Sequence, residues 1–207
     1  MDASTTPIIN EKPQQAPHHP AGRPRSEEAH HAILKAAMDL LESTCYKNLS
    51  MESIAEKAGV GKPTIYRRWK TKAALVADAF DCHALKRMPA VDTGTFEGDL
   101  RVYLTNLADR IEYTTYGKVL RGLISEANLD EASGQAFVRF VDSRRAAMFE
   151  IVQRARARGE ICPAIKDDDL VDEINGSVIY RYLLRRAKLD QAFIHEHINF
   201  ILRAAKA

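Results

Sequence analysis

Cysteine is scarce and scattered in this chain. Its 207 residues include three, Cys45, Cys82 and Cys162, far apart and without a C-x-x-C pair. Such an odd, dispersed set argues against a disulfide framework and for reduced thiols, read as small hydrophobes rather than as a redox or metal centre. No apolar run approaches the roughly 20 residues of a membrane span, so no membrane partner is expected. The N-terminus lacks the basic-then-apolar order of a signal peptide, which makes a cytoplasmic location the expectation. An excess of one charge is also missing: 30 Lys and Arg face 28 Asp and Glu, a formal net charge of +2. That balance excludes a uniformly basic nucleic-acid coat, and any basic surface has to be local. There is no alternating strand pattern and no internal repeat. Clustered acid–base pairs, metal-ligand spacings and activated nucleophiles are absent too, so no catalytic residue, metal or cofactor is expected.

What is present is helical, behind a short irregular start. Five of the eight prolines fall in the first 24 residues, among Gln, Thr and His. Such a segment cannot bury enough apolar area to offset its chain entropy, so residues 1–24 are expected to form a disordered arm. The adjacent histidines His18-His19 and His30-His31 make poor metal sites. From Ser26, a capping residue, Ile33, Leu34, Ala37, Leu40 and Leu41 recur on one face and predict a helix to about Ser43. Ser50 caps a short second helix, Gly59 permits a left-handed turn, and a third helix opens at Gly61 with Pro63 tolerated in its first turn. Thr71 caps a fourth helix to about Met88, where Pro89 ends it. Residues 25–88 thus form one domain. A linker over 89–99 leads to a second helical domain, 96–207, with helices near 96–113, 117–128, 133–158, 167–186 and 190–205. The fold class is all-α.

The stretch "GVGKPT", Gly59 to Thr64, looks at first like part of a phosphate-binding loop. That loop needs a glycine five residues before Gly61, where Glu56 stands, and a Ser or Thr after Lys62, where Pro63 stands. It also follows a strand, and here it follows a helix. The helix-turn-helix reading satisfies every position instead. Met51, Ile54, Ala55, Val60, Ile65 and Trp69 are spaced to pack the two short helices on each other and on the first. Between Gly61 and Lys72 lie five positive side chains and no acidic one. A nearly neutral protein has concentrated its positive charge on one helix, the footprint of duplex DNA recognition.

The DNA-facing set is therefore Ser50, Met51, Gly61, Lys62, Pro63, Thr64, Tyr66, Arg67, Arg68, Lys70 and Lys72. Lys62 and Thr64 lie nearest base edges, and Arg67 or Arg68 is placed to pair with guanine. Tyr66 can bond a phosphate, while Lys70 and Lys72 suit phosphate contacts that add affinity and salt dependence. Ser50 and Met51 should meet the flanking backbone. Ile65 and Trp69 are expected in the core.

Residues 32–80, with the blocks "AILKAA", "LSMESIAEKAGV" and "TIYRRWKTKAAL", resemble the DNA-binding domain of the tetracycline-repressor (TetR) family of transcriptional regulators. Two positions depart from the family pattern. Cys45 precedes Tyr46 where the family often has glycine, and Gly61 stands where Ser or Thr usually caps the recognition helix. The resemblance implies a homodimer on a near-palindromic double-stranded operator, and a divergent C-terminal domain that binds a small-molecule inducer. "AGRPR", residues 21–25, precedes the first helix as in many members. Arg23 and Arg25 then either reach phosphate or the minor groove, or belong to a merely solvated arm.

In the second domain, Ile174, Val178 and Tyr182 step along one face, with Gly176 and Ser177 allowing close helix approach. Phe193, Ile194, Ile198, Ile201 and Leu202 add apolar area on the last helix. Two readings stand: an intersubunit four-helix bundle, the family's usual arrangement, or the core of one subunit. His195 and His197 point in different directions and make a poor chelate. Tyr103, Leu107, Tyr113, Tyr116, Leu120, Leu123, Phe137, Phe140 and Phe149 are the candidate lining of an effector pocket, with plain core as the alternative. The leading functional reading is a ligand-released, homodimeric DNA-binding regulator that represses. Against it stand an enzyme acting through the second domain and a DNA-binding scaffold indifferent to metabolites.

Overall fold

The structure, a computed structural model, describes residues 23–85 and 91–206. Most of the expected arm, with His18 and His19, lies outside these residues, as do the side chains of Arg23 and Arg25. Among the described residues there are nine α-helices and no strand, so the all-α expectation holds.

Three helices form the first unit: α1 (Arg23–Ser43), α2 (Met51–Ala58) and α3 (Lys62–Arg68). A 3-10 turn at Tyr46–Asn48, absent from the sequence reading, joins α1 to α2. The expected start of α1 needs correction. Residues 23–43 are helical, so Ser26 lies inside the helix rather than capping it. Ser50 does cap α2: its hydroxyl accepts from Ser53 N at 3.1 Å, and Ser53 Oγ accepts from Ser50 N at 3.2 Å. Gly59 ends α2 with φ +66, the left-handed conformation that favours glycine. Gly61 caps α3 through its backbone alone; its carbonyl accepts from Thr64 N at 2.9 Å.

Helix α4 (Lys72–Leu85) leads out of this unit. Thr71 caps it, accepting from Ala74 N at 3.1 Å. Beyond follow α5 (Phe96–Tyr113), α6 (Thr115–Ala127), α7 (Glu131–Ala157), α8 (Asp167–Leu183) and α9 (Gln191–Lys206). Side-chain caps from Thr95, Thr114 and Asp130 set the starts of α5, α6 and α7. Helix α7 lies at the centre of the second unit, packing against α4, α5, α6 and α8, and α9 closes against α5 and α8. One hydrophobic core runs without a break from Ile33 and Ile54 through Val76 and Phe80 to Phe140, Ile174 and Ile198. The two domains inferred from sequence therefore share a packed joint.

Tyr46 carries that joint. Its ring lies against Gly122 of α6, where an added Cβ would come within 2.2 Å of Tyr46 Cδ1. Its hydroxyl donates to Glu126 at 2.7 Å, and Lys72 Nζ reaches Glu126 at 2.9 Å and the Tyr46 carbonyl at 3.1 Å. The same ammonium sits 4.4 Å from the centre of the Tyr46 ring. Burial, then the bond to Glu126, pushes the Tyr46 phenol well above its ordinary value.

Candidate DNA interface and effector cavity

Helix α3 is held from behind by two buried residues. Ile65 is fully enclosed, and Trp69 at the end of α3 is buried, donating its indole N–H to Asp78 at 2.7 Å. The His30 ring stacks on Trp69 with centroids 5.2 Å apart. Burial, followed by the nearby Arg68 charge, lowers the His30 pKa below its ordinary value. With one face fixed this way, the opposite face of α3 is turned to solvent. Gly61, Lys62, Pro63, Tyr66, Arg67, Arg68 and Lys70 are exposed, and Thr64 is half-buried. Glu52 of α2 organises part of that face, with Lys62 Nζ at 3.4 Å and the Tyr66 hydroxyl at 3.5 Å. Hydrogen bonding from its own backbone and then from Lys62 holds its carboxyl below the ordinary value.

Two residues of the DNA-facing set are placed differently by the fold. The Met51 side chain is buried beneath α2 and does not reach the outer surface. Lys72 is mostly buried and committed to Glu126 and Tyr46. It closes the domain joint, because α4 turns its first residue inward toward α6.

In the second unit, a cavity of about 470 Å³ opens between α4, α5, α6, α7 and α8. Five of the nine candidate lining residues border it: Tyr103, Leu107, Tyr116, Leu120 and Phe140. The other four do not. Tyr113 is 83% exposed at the end of α5, Leu123 is fully buried core, and Phe137 and Phe149 pack against the core from elsewhere on α7. The cavity also holds polar residues that an apolar search overlooks, among them Asp81, Arg110, Arg144, Arg154 and Asn175. Arg144 was visible in principle, because it stands four residues from both Phe140 and Met148 on the inward stripe of α7. Tyr103 donates to Asn175 at 3.2 Å, and burial raises its phenol far above the ordinary value.

The interface set requires the largest correction. Ile174, Val178, Tyr182, Ile194, Ile198 and Ile201 are all buried within a single chain. They are its own core and have no surface left for a second copy; Phe193 alone is partly open. His197 is core as well, its Nε2 lying 3.0 Å from the Ile174 carbonyl, while His195 is exposed. The outward side of the same two helices carries Tyr180 and Phe200, with Leu184 at the end of α8, each at least half exposed. No group of three metal-ligating side chains occurs among the described residues. No helix among them is long and apolar enough to cross a membrane.

A tri-helical head with a solvent-facing basic helix, joined to a cavity-bearing helical body, defines a helix-turn-helix regulator that binds DNA. The family pattern described as "Bacterial regulatory proteins, tetR family" matches residues 33–79, and "Tetracyclin repressor-like, C-terminal domain" matches residues 90–201. The chain belongs to the TetR family of transcriptional regulators. It is 33% identical over 187 residues to the uncharacterized HTH-type transcriptional regulator YdeS of Bacillus subtilis (strain 168), covering 90% of this chain and 94% of that one. Against the DNA-binding transcriptional repressor TetR of Mycobacteroides abscessus it is 30% identical, over 86% of this chain and 94% of the relative. The crystal structure of the TetR family transcription regulator SCO0332 superposes with a TM-score of 0.78 at 29% identity, covering 86% of this chain and 98% of that one. These relatives are regulators of transcription, and the protein is not an enzyme.

Proposed function

We propose that the protein acts in the cytoplasm as a homodimeric repressor, released from its operator by a small molecule held in the α4–α8 cavity. The observation that carries the reading is the union in one packed body of a basic, solvent-facing α3 and a cavity whose wall combines Tyr103, Tyr116 and Phe140 with several arginines. Helix α6 borders the cavity with Tyr116 and Leu120 and reaches the DNA-binding head through Gly122 and Glu126. A ligand that favours one placement of α6 therefore biases the spacing of two α3 helices, and a coupling of roughly 1–3 kcal/mol changes operator occupancy about 5–150-fold.

The second copy is assigned to the outward face of α8 and α9. Gly176, Ser177, Tyr180 and Phe193 line an open groove there, with Leu184, just past the end of α8, and Phe200 of α9 also exposed. An added Cβ at Gly176 would meet nothing within 4 Å, so a partner helix can approach closely. The two recognition helices then enter successive major grooves of an inverted repeat.

The test is to sequence genomic fragments retained by the purified protein, then titrate the recovered site in a gel shift. The expected result is a shared inverted repeat whose binding is weakened at least about tenfold by Tyr66→Ala. Fragments without a common motif, or unchanged affinity for the variant, would overturn the assignment of α3.

A further inference from the structure

The cavity holds four arginines, Arg110, Arg144, Arg145 and Arg154, against two carboxylates, Asp81 and Glu150. Their partners differ. Arg145 is held by Asp168 at 2.9 Å and by Asp172. Arg154 donates through Nη2 to the Val91 carbonyl, and its buried Nε has no hydrogen-bond acceptor. Arg110 lies over the Tyr116 ring, 5.0 Å from its centre.

Arg144 is the unusual member. Its Nη1 holds Asp81 of α4, and its guanidinium carbon sits 4.3 Å from the centre of the Phe140 ring. Its Nε and Nη2 are both buried without an acceptor. Those two nitrogens share one edge of the guanidinium, and their N–H bonds run parallel, the arrangement that takes both oxygens of one carboxylate. Buried donors left without partners weaken a fold, and an anion on that edge would remove the penalty. Arg144 and Arg110 line the same cavity as Tyr103, beside the Phe140 and Tyr116 rings that they respectively cover.

We propose that the effector is a monocarboxylate with a flat apolar body. Its carboxylate takes the Nε–Nη2 edge of Arg144, and its rings lie among Tyr103, Tyr116 and Phe140. This inference rests on reading the cavity as the effector site. Docking draws the guanidinium edge toward the cavity and so competes with the Asp81 pair, which ties α4 to α7. Helix α4 follows the recognition helix directly, so the same contact that selects an anion loosens the DNA-binding head.

The test is isothermal titration of the full chain with aryl carboxylates of one to three rings, each paired with its carboxamide. Carboxylates are expected to bind at least about tenfold more tightly than their amides. In Arg144→Gln that preference should vanish while amide binding stays unchanged. Asp81→Asn provides an independent arm: by freeing Nη1 and removing a like charge, it should tighten carboxylate binding about threefold and leave the amides alone. Amides binding as well as acids, or a preference that survives Arg144→Gln, would overturn the anion assignment and leave the effector cavity standing. No improvement in Asp81→Asn would also count against it. If neither class binds at millimolar concentration, the effector reading falls together with this one.

Discussion

Lys70 and Lys72 are two residues apart, equally cationic, and oppositely placed. Lys70 is exposed beyond the end of α3, whereas Lys72 is folded against Glu126 and Tyr46. Lys70→Ala should weaken operator binding evenly across sequences and reduce the salt slope by about one unit. Lys72→Ala should leave that slope unchanged and lower Tm by about 3–6 °C, as differential scanning fluorimetry would show. His30 supplies a pH test. Its pKa is lowered in the folded state, so the unfolded chain binds the proton more readily. Its contribution to stability is present above the ordinary value of 6.5 and is lost as pH falls from there through the lowered folded value. Denaturant midpoints should therefore decline below pH 6.5, and His30→Phe should flatten the decline. Trp69, the chain's single tryptophan, stacks on His30 and reports the change by fluorescence.

Among the elements, α2 and α3 are tied together by a turn in which Gly59 N–H and Val60 N–H donate to the Glu56 and Ala55 carbonyls at 3.1 and 3.0 Å, and by the fully buried Ile54 and Ile65. The α6 helix plays the other part, bordering the cavity at Tyr116 and Leu120 and meeting the head at Gly122 and Glu126. Gly122 allows this because its missing Cβ leaves room for the Tyr46 ring. Gly122→Ala should force α6 and the 3-10 turn apart. The expected cost is about 1–3 kcal/mol in a urea titration, despite alanine's better helix propensity. A stabilised protein would show that the joint is looser than this contact implies.

For the whole molecule, the proposed dimer makes a prediction that the buried isoleucines cannot. Leu184→Glu on the outward face should convert a particle of about twice 23.2 kDa to one of 23.2 kDa in light scattering, with helical circular dichroism retained. Wild-type protein at 23.2 kDa under micromolar conditions would remove the dimer.

Helix class and the helix-turn-helix were legible from sequence because they rest on local rules. Apolar spacing marked the inner faces of α1 to α3, Ser50 and Gly59 bounded α2, and Lys62, Arg67, Arg68 and Lys70 marked the outward side of α3 and its exit. Apolar spacing shows that a helix face is buried but not what buries it. Only the packing of α8 and α9 decided that Ile174 and Ile198 belong to one chain's own core. Likewise only contact with α6, distant in sequence, turned Lys72 from a DNA ligand into a bolt between domains. The closeness of Arg144, Arg110 and Asp81 also required three helices to meet. Local chemistry therefore determined what this protein is. Tertiary packing decided which of its charges lie exposed on α3, which hold the two units together, and which line the cavity, because burial depends on partners that a helix cannot name by itself.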